Sequence, residues 1–158
     1  MTILTVQTSS CNHIKINRNK VMKHRLDARK LLIRVLTLDR LQKRGWVMAN
    51  RCFLCHKSEE TIDHLLIHCE KTRLVWMVFL SFFGVSWVFP RSVKETLLGW
   101  RGSFVGKKRK VAWQLGPLCL FWVIWKARNS IAFEDCGLSI QRLKAFLCIF
   151  CGQNPHCG

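Results

Sequence analysis

From residue 26 to residue 46 the apolar positions Leu31, Leu32, Val35, Leu36, Leu38 and Leu41 recur at mostly helical spacing, and Gly45 offers a stop. Asp39 stands where it can cap a second short helix over residues 40–44. Residues 51–57 read as a compact turn. Ser58 and Thr61 are then candidate N-caps, with Glu59, Glu60 and Asp63 placed where a helix N-terminus favours negative charge. The helix that follows should carry Ile62, Leu65, Leu66, Val75, Trp76, Phe79 and Phe82 inward and end at Gly84. Beyond Pro90, residues 93–100 and 111–132 read as helices around a loop at 101–110, with 138–149 a further short candidate. Pro117 is expected to kink or restart the second of these. Residues 1–25 show no useful periodicity, and no repeat of solenoid length is visible. The predicted fold class is mainly α.

Composition supports a core rather than wholesale disorder: nearly half of the 158 residues are hydrophobic, with seven Trp and ten Phe. Charge adds a second pattern. The net charge is +17, which attracts polyanions, nucleic acid or an anionic membrane surface first among them. It is unevenly spread: residues 1–51 carry twelve Lys/Arg against two acids, 52–89 three against four, and 90–158 eleven against three. A near-neutral module therefore sits between basic arms. The uncharged apolar stretches 74–90 and 111–125 fall short of the ~20 residues that span a bilayer as a helix, so no membrane partner is expected. Nine cysteines, an odd number, with no long apolar segment at the N-terminus, point to reduced thiols in a nuclear or cytoplasmic setting rather than to a disulfide scaffold.

The chemistry concentrates in CFLCHKSEETIDHLLIHC, residues 52–69. Cys52-x2-Cys55 puts two thiolates on one tight turn, the usual first half of a tetrahedral zinc site. His64, His68 and Cys69 follow. On an unbroken α-helix His64 and His68 differ by ~40° and share a face, whereas His64 and Cys69 differ by ~140°. Helical geometry thus favours His68, while a frayed helix and the strength of a third thiolate favour Cys69. The set Cys52, Cys55, His64, Cys69 is preferred, with the set ending in His68 kept as the alternative. Four Cys/His ligands make a closed site, so the metal would serve folding rather than catalysis. The distal Cys148-x2-Cys151-x4-His156-Cys157 resembles half of a second site, but adjacent His156 and Cys157 are poorly placed to hold one ion together.

The order of these residues, Cys-x2-Cys, an acidic stretch, Ile62-Asp63-His64-Leu65-Leu66-Ile67-His68-Cys69 and then Val75-Trp76, resembles the zinc-binding domain of reverse transcriptases from plant non-LTR (LINE-type) retrotransposons. The likeness is good over residues 33–80, including the lead-in Val35 to Gly45, and looser over 81–135. It implies a small zinc-stabilised domain with a CxxC turn, which allows a short β-hairpin, followed by helices. It also implies Zn²⁺ held by Cys52, Cys55, His64 and Cys69, and a reverse-transcriptase domain of a parent polyprotein as partner. The chain then divides into a basic, disordered lead-in (1–30), the zinc-binding domain (31–89), a helical basic region (90–147) and a disordered tail (148–158).

Catalysis is not expected. There is no Tyr and no Asp-Asp pair of the kind that holds polymerase metals, and only nine acids exist, four of them within or beside the zinc stretch. Nucleic-acid contact is expected from Arg40, Lys43, Arg44 and Arg51, which flank the zinc turn with Trp46 and Phe53 among them, and from the run Lys107, Lys108, Arg109, Lys110, which reads equally as a nuclear import signal or a solvated loop. Core packing is favoured for Trp76, Trp113, Trp122 and Trp125. The leading reading is a non-catalytic module that aids RNA or DNA engagement. Its rival is a structural or protein-interaction zinc module without nucleic-acid binding, including a decayed fragment of such an element.

Overall fold

Two helices end by the same glycine device. In the computed structural model, which describes residues 32–100 and 109–134, helix α1 (Leu38–Gln42) closes where Gly45 turns to φ +90°. The Gly45 N–H reaches the Gln42 carbonyl at 2.9 Å and the Trp46 N–H reaches that of Leu41 at 3.2 Å. Helix α2 (Glu70–Phe83) closes likewise on Gly84, φ +64°, with Gly84 N–H on Ser81 at 3.1 Å and Val85 N–H on Leu80 at 3.2 Å. The paired bonds satisfy the last carbonyls but need a left-handed residue, which glycine adopts without steric cost.

The helix expected over 26–46 is interrupted. Residues 32–34 are helical, 35–37 are not, and α1 starts afresh after Thr37. The break has visible causes. Arg40 inserts its Nη1 between the carbonyls of Leu32 (2.6 Å) and Val35 (3.0 Å), and the Leu38 N–H turns away to the Glu60 carboxylate at 3.2 Å. Asp39 lies inside α1, and Thr37 holds the cap position.

Helix α3 (Val93–Gly99) is capped by Ser92, whose Oγ accepts the Glu95 N–H at 3.1 Å, and its first N–H is taken by Asp63 Oδ1 at 2.7 Å. Helix α4 (Lys110–Glu134) runs on through Pro117 without a restart. A proline cannot donate to the carbonyl four residues back, here Trp113. The Trp100 indole N–H fills that vacancy at 2.9 Å, and the Trp100 and Trp113 rings stack with centroids 4.4 Å apart.

α4 packs on α2 and on the turn that precedes it. Between them lie Leu65, Leu66, Val75, Trp76, Phe79, Trp113, Leu120, Phe121 and Ile124, all buried. Each such side chain contributes about 1.5–3 kcal/mol on leaving water. Trp122 and Trp125 are partly buried against this core. No strand occurs among the described residues, so the CxxC segment is a turn and the allowed hairpin is not formed. None of their helices is long and apolar enough to cross a membrane. The lead-in 1–30, Lys107 and Lys108, the candidate helix 138–149 and the distal Cys/His cluster lie outside the described residues.

Candidate metal centre

The first half of the site is a tight turn. Cys52 N–H bonds to the Ser58 carbonyl at 2.8 Å and His56 N–H to that of Cys52 at 2.9 Å, with His56 in the left-handed region at φ +56°. The Cys55 and Leu54 backbone N–H groups bond the Cys52 sulfur. Such donors disperse thiolate charge in a metal site.

The second half explains how His64 and Cys69 can meet. Thr61 Oγ1 accepts the His64 N–H at 3.1 Å and starts a helical turn. Over His64–His68 that turn is π-helical, and Cys69 N–H bonds to the His64 carbonyl five residues back at 2.7 Å. A turn closed between i and i+5 stacks residues five apart, as an α-helical turn stacks residues four apart. The ~140° separation expected from α-helical geometry therefore disappears. The carbonyls that a widened turn frees are satisfied from α2: the Thr72 hydroxyl donates to Leu65 at 2.6 Å and the Trp76 indole to Leu66 at 2.9 Å.

As a result one ligand atom from each of Cys52, Cys55, His64 and Cys69 lies within 4.8 Å of every other, and Cys55 Sγ is 3.3 Å from His64 Nε2. A tetrahedral ion with ~2.3 Å bonds to sulfur needs edges of about 3.8 Å, so small side-chain movements suffice to close four donors on one ion. Three soft sulfurs and an imidazole form a donor set that can hold a metal ion. The three cysteines are buried and His64 is partly so. His68 is elsewhere: its Nε2 lies 3.0 Å from the Arg91 carbonyl. His56 is exposed.

Cys52 and Cys69 form a proton-sharing pair. A hydrogen bond from the Cys52 thiol, aided by the N–H groups of Thr72 and Lys71 at the start of α2 and opposed by burial, lowers Cys69 to about 5. The same bond, with burial second, pushes Cys52 up. A thiolate at a helix N-terminus is the expected outcome of that placement.

Behind the site stands a group that the sequence pattern places among the acids of a helix N-terminus. Glu60 is fully buried, and its carboxylate accepts from Arg128 Nη2 (2.7 Å), Arg128 Nε (3.1 and 3.2 Å), Leu38 N–H (3.2 Å) and Phe53 N–H (3.2 Å). It ties α1, the CxxC turn and α4 together. Arg128 also lies over Phe53, 4.6 Å from the ring centroid. The partner is 68 residues away and no local spacing announces it.

The basic residues divide. Arg40 is held by the Leu32 and Val35 carbonyls. Lys43 is exposed and pairs with Asp39 at 3.1 Å. Arg44 and Arg51 are exposed. Arg109, also exposed, donates to the Phe82 carbonyl at 3.1 Å, and Lys110 opens α4 from the surface. Among the described residues, Arg40, Lys43 and Arg44 lie in or just after α1, Arg51 directly precedes the CxxC turn, and Arg109 and Lys110 stand at the start of α4.

No curated protein and no solved structure matches the chain. Residues 6–76, a span that takes in all four clustered donors and ends at Trp76, match the family model for zinc-binding in reverse transcriptase, and this segment is therefore similar to the zinc-binding domain of that family.

Proposed function

We propose that this chain is a non-catalytic module of a reverse-transcriptase-like protein, in which Zn²⁺ held by Cys52, Cys55, His64 and Cys69 fixes the fold and the basic surface engages RNA or DNA. The observation that carries this reading is the closed donor set: four Cys/His atoms converge on one point, three of them buried. Structural zinc sites are closed in this way, whereas catalytic ones keep a position for water or substrate. Thiolate-rich donors select zinc over magnesium or calcium, which prefer oxygen. When bound, the ion would supply folding free energy by joining the CxxC turn to the start of α2.

The side chain nearest to a general base supports the same view. Glu60 is engaged by Arg128 and two backbone N–H groups and has no exposed oxygen to offer a substrate. Binding of a nucleic-acid strand accords with the net charge of +17, and the parent polymerase domain is the natural covalent partner of such a module. Reduced thiols suit a nuclear or cytoplasmic protein.

The test is metal counting with cobalt substitution on the full chain. One equivalent of metal is expected, with thiolate-to-cobalt absorption that falls strongly in Cys69→Ser and persists in His68→Ala. Absence of stoichiometric metal, or loss of the band in His68→Ala alone, would overturn the ligand set. Salt-sensitive binding to single-stranded RNA tests the second half of the reading, and its absence at low salt would leave a purely structural module.

A further inference from the structure

Six of the seven tryptophans, Trp76, Trp87, Trp100, Trp113, Trp122 and Trp125, lie in the core or pack against it. Trp46 does not: it is 62% exposed. An indole left in water forgoes a large apolar burial, since a Trp can cover 150–250 Å² or so. Its backbone, by contrast, is fixed. Trp46 N–H is bonded to the Leu41 carbonyl, Gln42 Nε2 ties the loop at the Met48 carbonyl (2.8 Å), and Asn50 Oδ1 anchors its far end to the Glu60 N–H (2.8 Å). The ring is thus presented on a pinned loop.

The surroundings are cationic. Residues 40–58 contain Arg40, Lys43, Arg44, Arg51 and Lys57 and no acid. Of the acids that border this stretch, Asp39 pairs with Lys43, Glu60 with Arg128 and Glu70 with Lys57, while Glu59 is exposed and has no ion pair among the described residues. Arg44 and Arg51 are exposed and, among the described residues, have no ion-pair partner.

We propose that Trp46 is a stacking platform for an unpaired base of a single-stranded nucleic acid, whose phosphates are met by Arg44, Arg51 and, in exchange for Asp39, Lys43. This rests on the nucleic-acid reading above and assigns it a place. A base has a π-face whatever its identity, so the site tolerates sequence, and the flanking guanidinium groups supply the salt-dependent part of binding. An apolar protein partner would also cover Trp46 and the fully exposed Val47. The run of cationic residues on either side of Trp46 in the chain favours a polyanion instead.

The experiment uses the full, zinc-loaded chain and dye-labelled short oligouridylate, oligodeoxythymidylate and a duplex, read by fluorescence anisotropy across a salt series. Both single strands should bind more tightly than the duplex. Trp46→Ala should weaken single-strand binding about tenfold with little change in salt slope, and Trp46→Phe should retain most of it. Arg44→Gln with Arg51→Gln should lower the salt slope by about two, roughly one per lost phosphate contact. Metal content and melting temperature should be unchanged in Trp46→Ala, since the ring is outside the core. If the wild-type chain binds strands and Trp46→Ala binds them equally well, the platform is refuted and the functional reading survives. If the wild-type chain binds no nucleic acid, the nucleic-acid half of the functional reading fails and the platform with it. A duplex preference would also sink the platform, because paired bases cannot reach the ring.

Discussion

Arg128 Nη2 lies 2.7 Å from Glu60 Oε1, and both side chains are almost fully withdrawn from water. The pair spans the metal turn and the far helix, so it joins the segment that matches the family to a helix well outside that match. Breaking a buried pair leaves an uncompensated charge and typically costs 3–5 kcal/mol, roughly, whereas replacing both partners by apolar groups can be neutral. Glu60→Gln and Arg128→Met should each lower unfolding free energy by about 3 kcal/mol or more, and the double variant Glu60→Leu/Arg128→Met should recover much of that loss. Denaturant titration of the three variants measures it. Additive losses in the double variant would show that the pair is not the coupling element.

Gly116 and Phe79 make a second joint. A Cβ at Gly116 would overlap the Cζ edge of the Phe79 ring, which is itself fully buried between Trp76, Phe83 and Trp113. The ring cannot swing away without moving its neighbours. Gly116→Ala, ordinarily a stabilising change within a helix, should therefore destabilise by about 1–3 kcal/mol, the usual cost of overpacking. Phe79→Leu in the same chain should return part of this, which thermal melts of the single and double variants would reveal.

Much of the site was legible from residue types. The CxxC spacing, the Thr61 cap, the stop at Gly84 and the apolar positions of α2 follow from short-range rules, and each is found where those rules place it. The preference for Cys69 rested on thiolate strength, against the helical angle. The structure gathers Cys69 because the turn is π-helical, a departure that depends on the Thr72 hydroxyl and Trp76 indole receiving the freed carbonyls. Those partners lie in the next helix, beyond the reach of a periodicity argument. The same is true of Pro117, tolerated inside α4 because Trp100 meets the carbonyl it leaves open, and of Glu60, whose role exists only once Arg128 is folded beside it.

His56 follows the second cysteine and sits at φ +56° with its side chain exposed. For an L-residue with a Cβ, that conformation costs roughly 1–2 kcal/mol, while glycine is free to adopt it but loses about 0.5–1 kcal/mol more chain entropy on folding. His56→Gly should consequently stabilise by up to about 1 kcal/mol, and His56→Val, whose branched Cβ tolerates the region worst, should destabilise. Neither should alter metal stoichiometry, because His56 lies outside the donor cluster. Melting temperatures with paired metal analysis decide the matter.

Acid should dismantle the centre in a defined direction. Metal binding requires the ligands deprotonated, so protons and the ion compete for the same sulfurs and imidazole. In the metal-free chain Cys69, lowered to about 5, is stabilising as a thiolate. A depressed folded pKa gives stability that is fully present above the ordinary thiol pKa and is lost as pH falls through about 5. Cys52, pushed up, acts oppositely, and its contribution is present below the ordinary thiol range and fades as pH rises beyond it. With a chelator present, the pair's contribution should rise from about pH 5 toward the ordinary thiol range and decline above it. With stoichiometric zinc, the alkaline decline should vanish, since the ion replaces the shared proton, and stability at neutral pH should increase. Melting temperature against pH, with and without chelator, tests both limbs. Identical curves under the two conditions would mean that the four donors do not act as one metal centre.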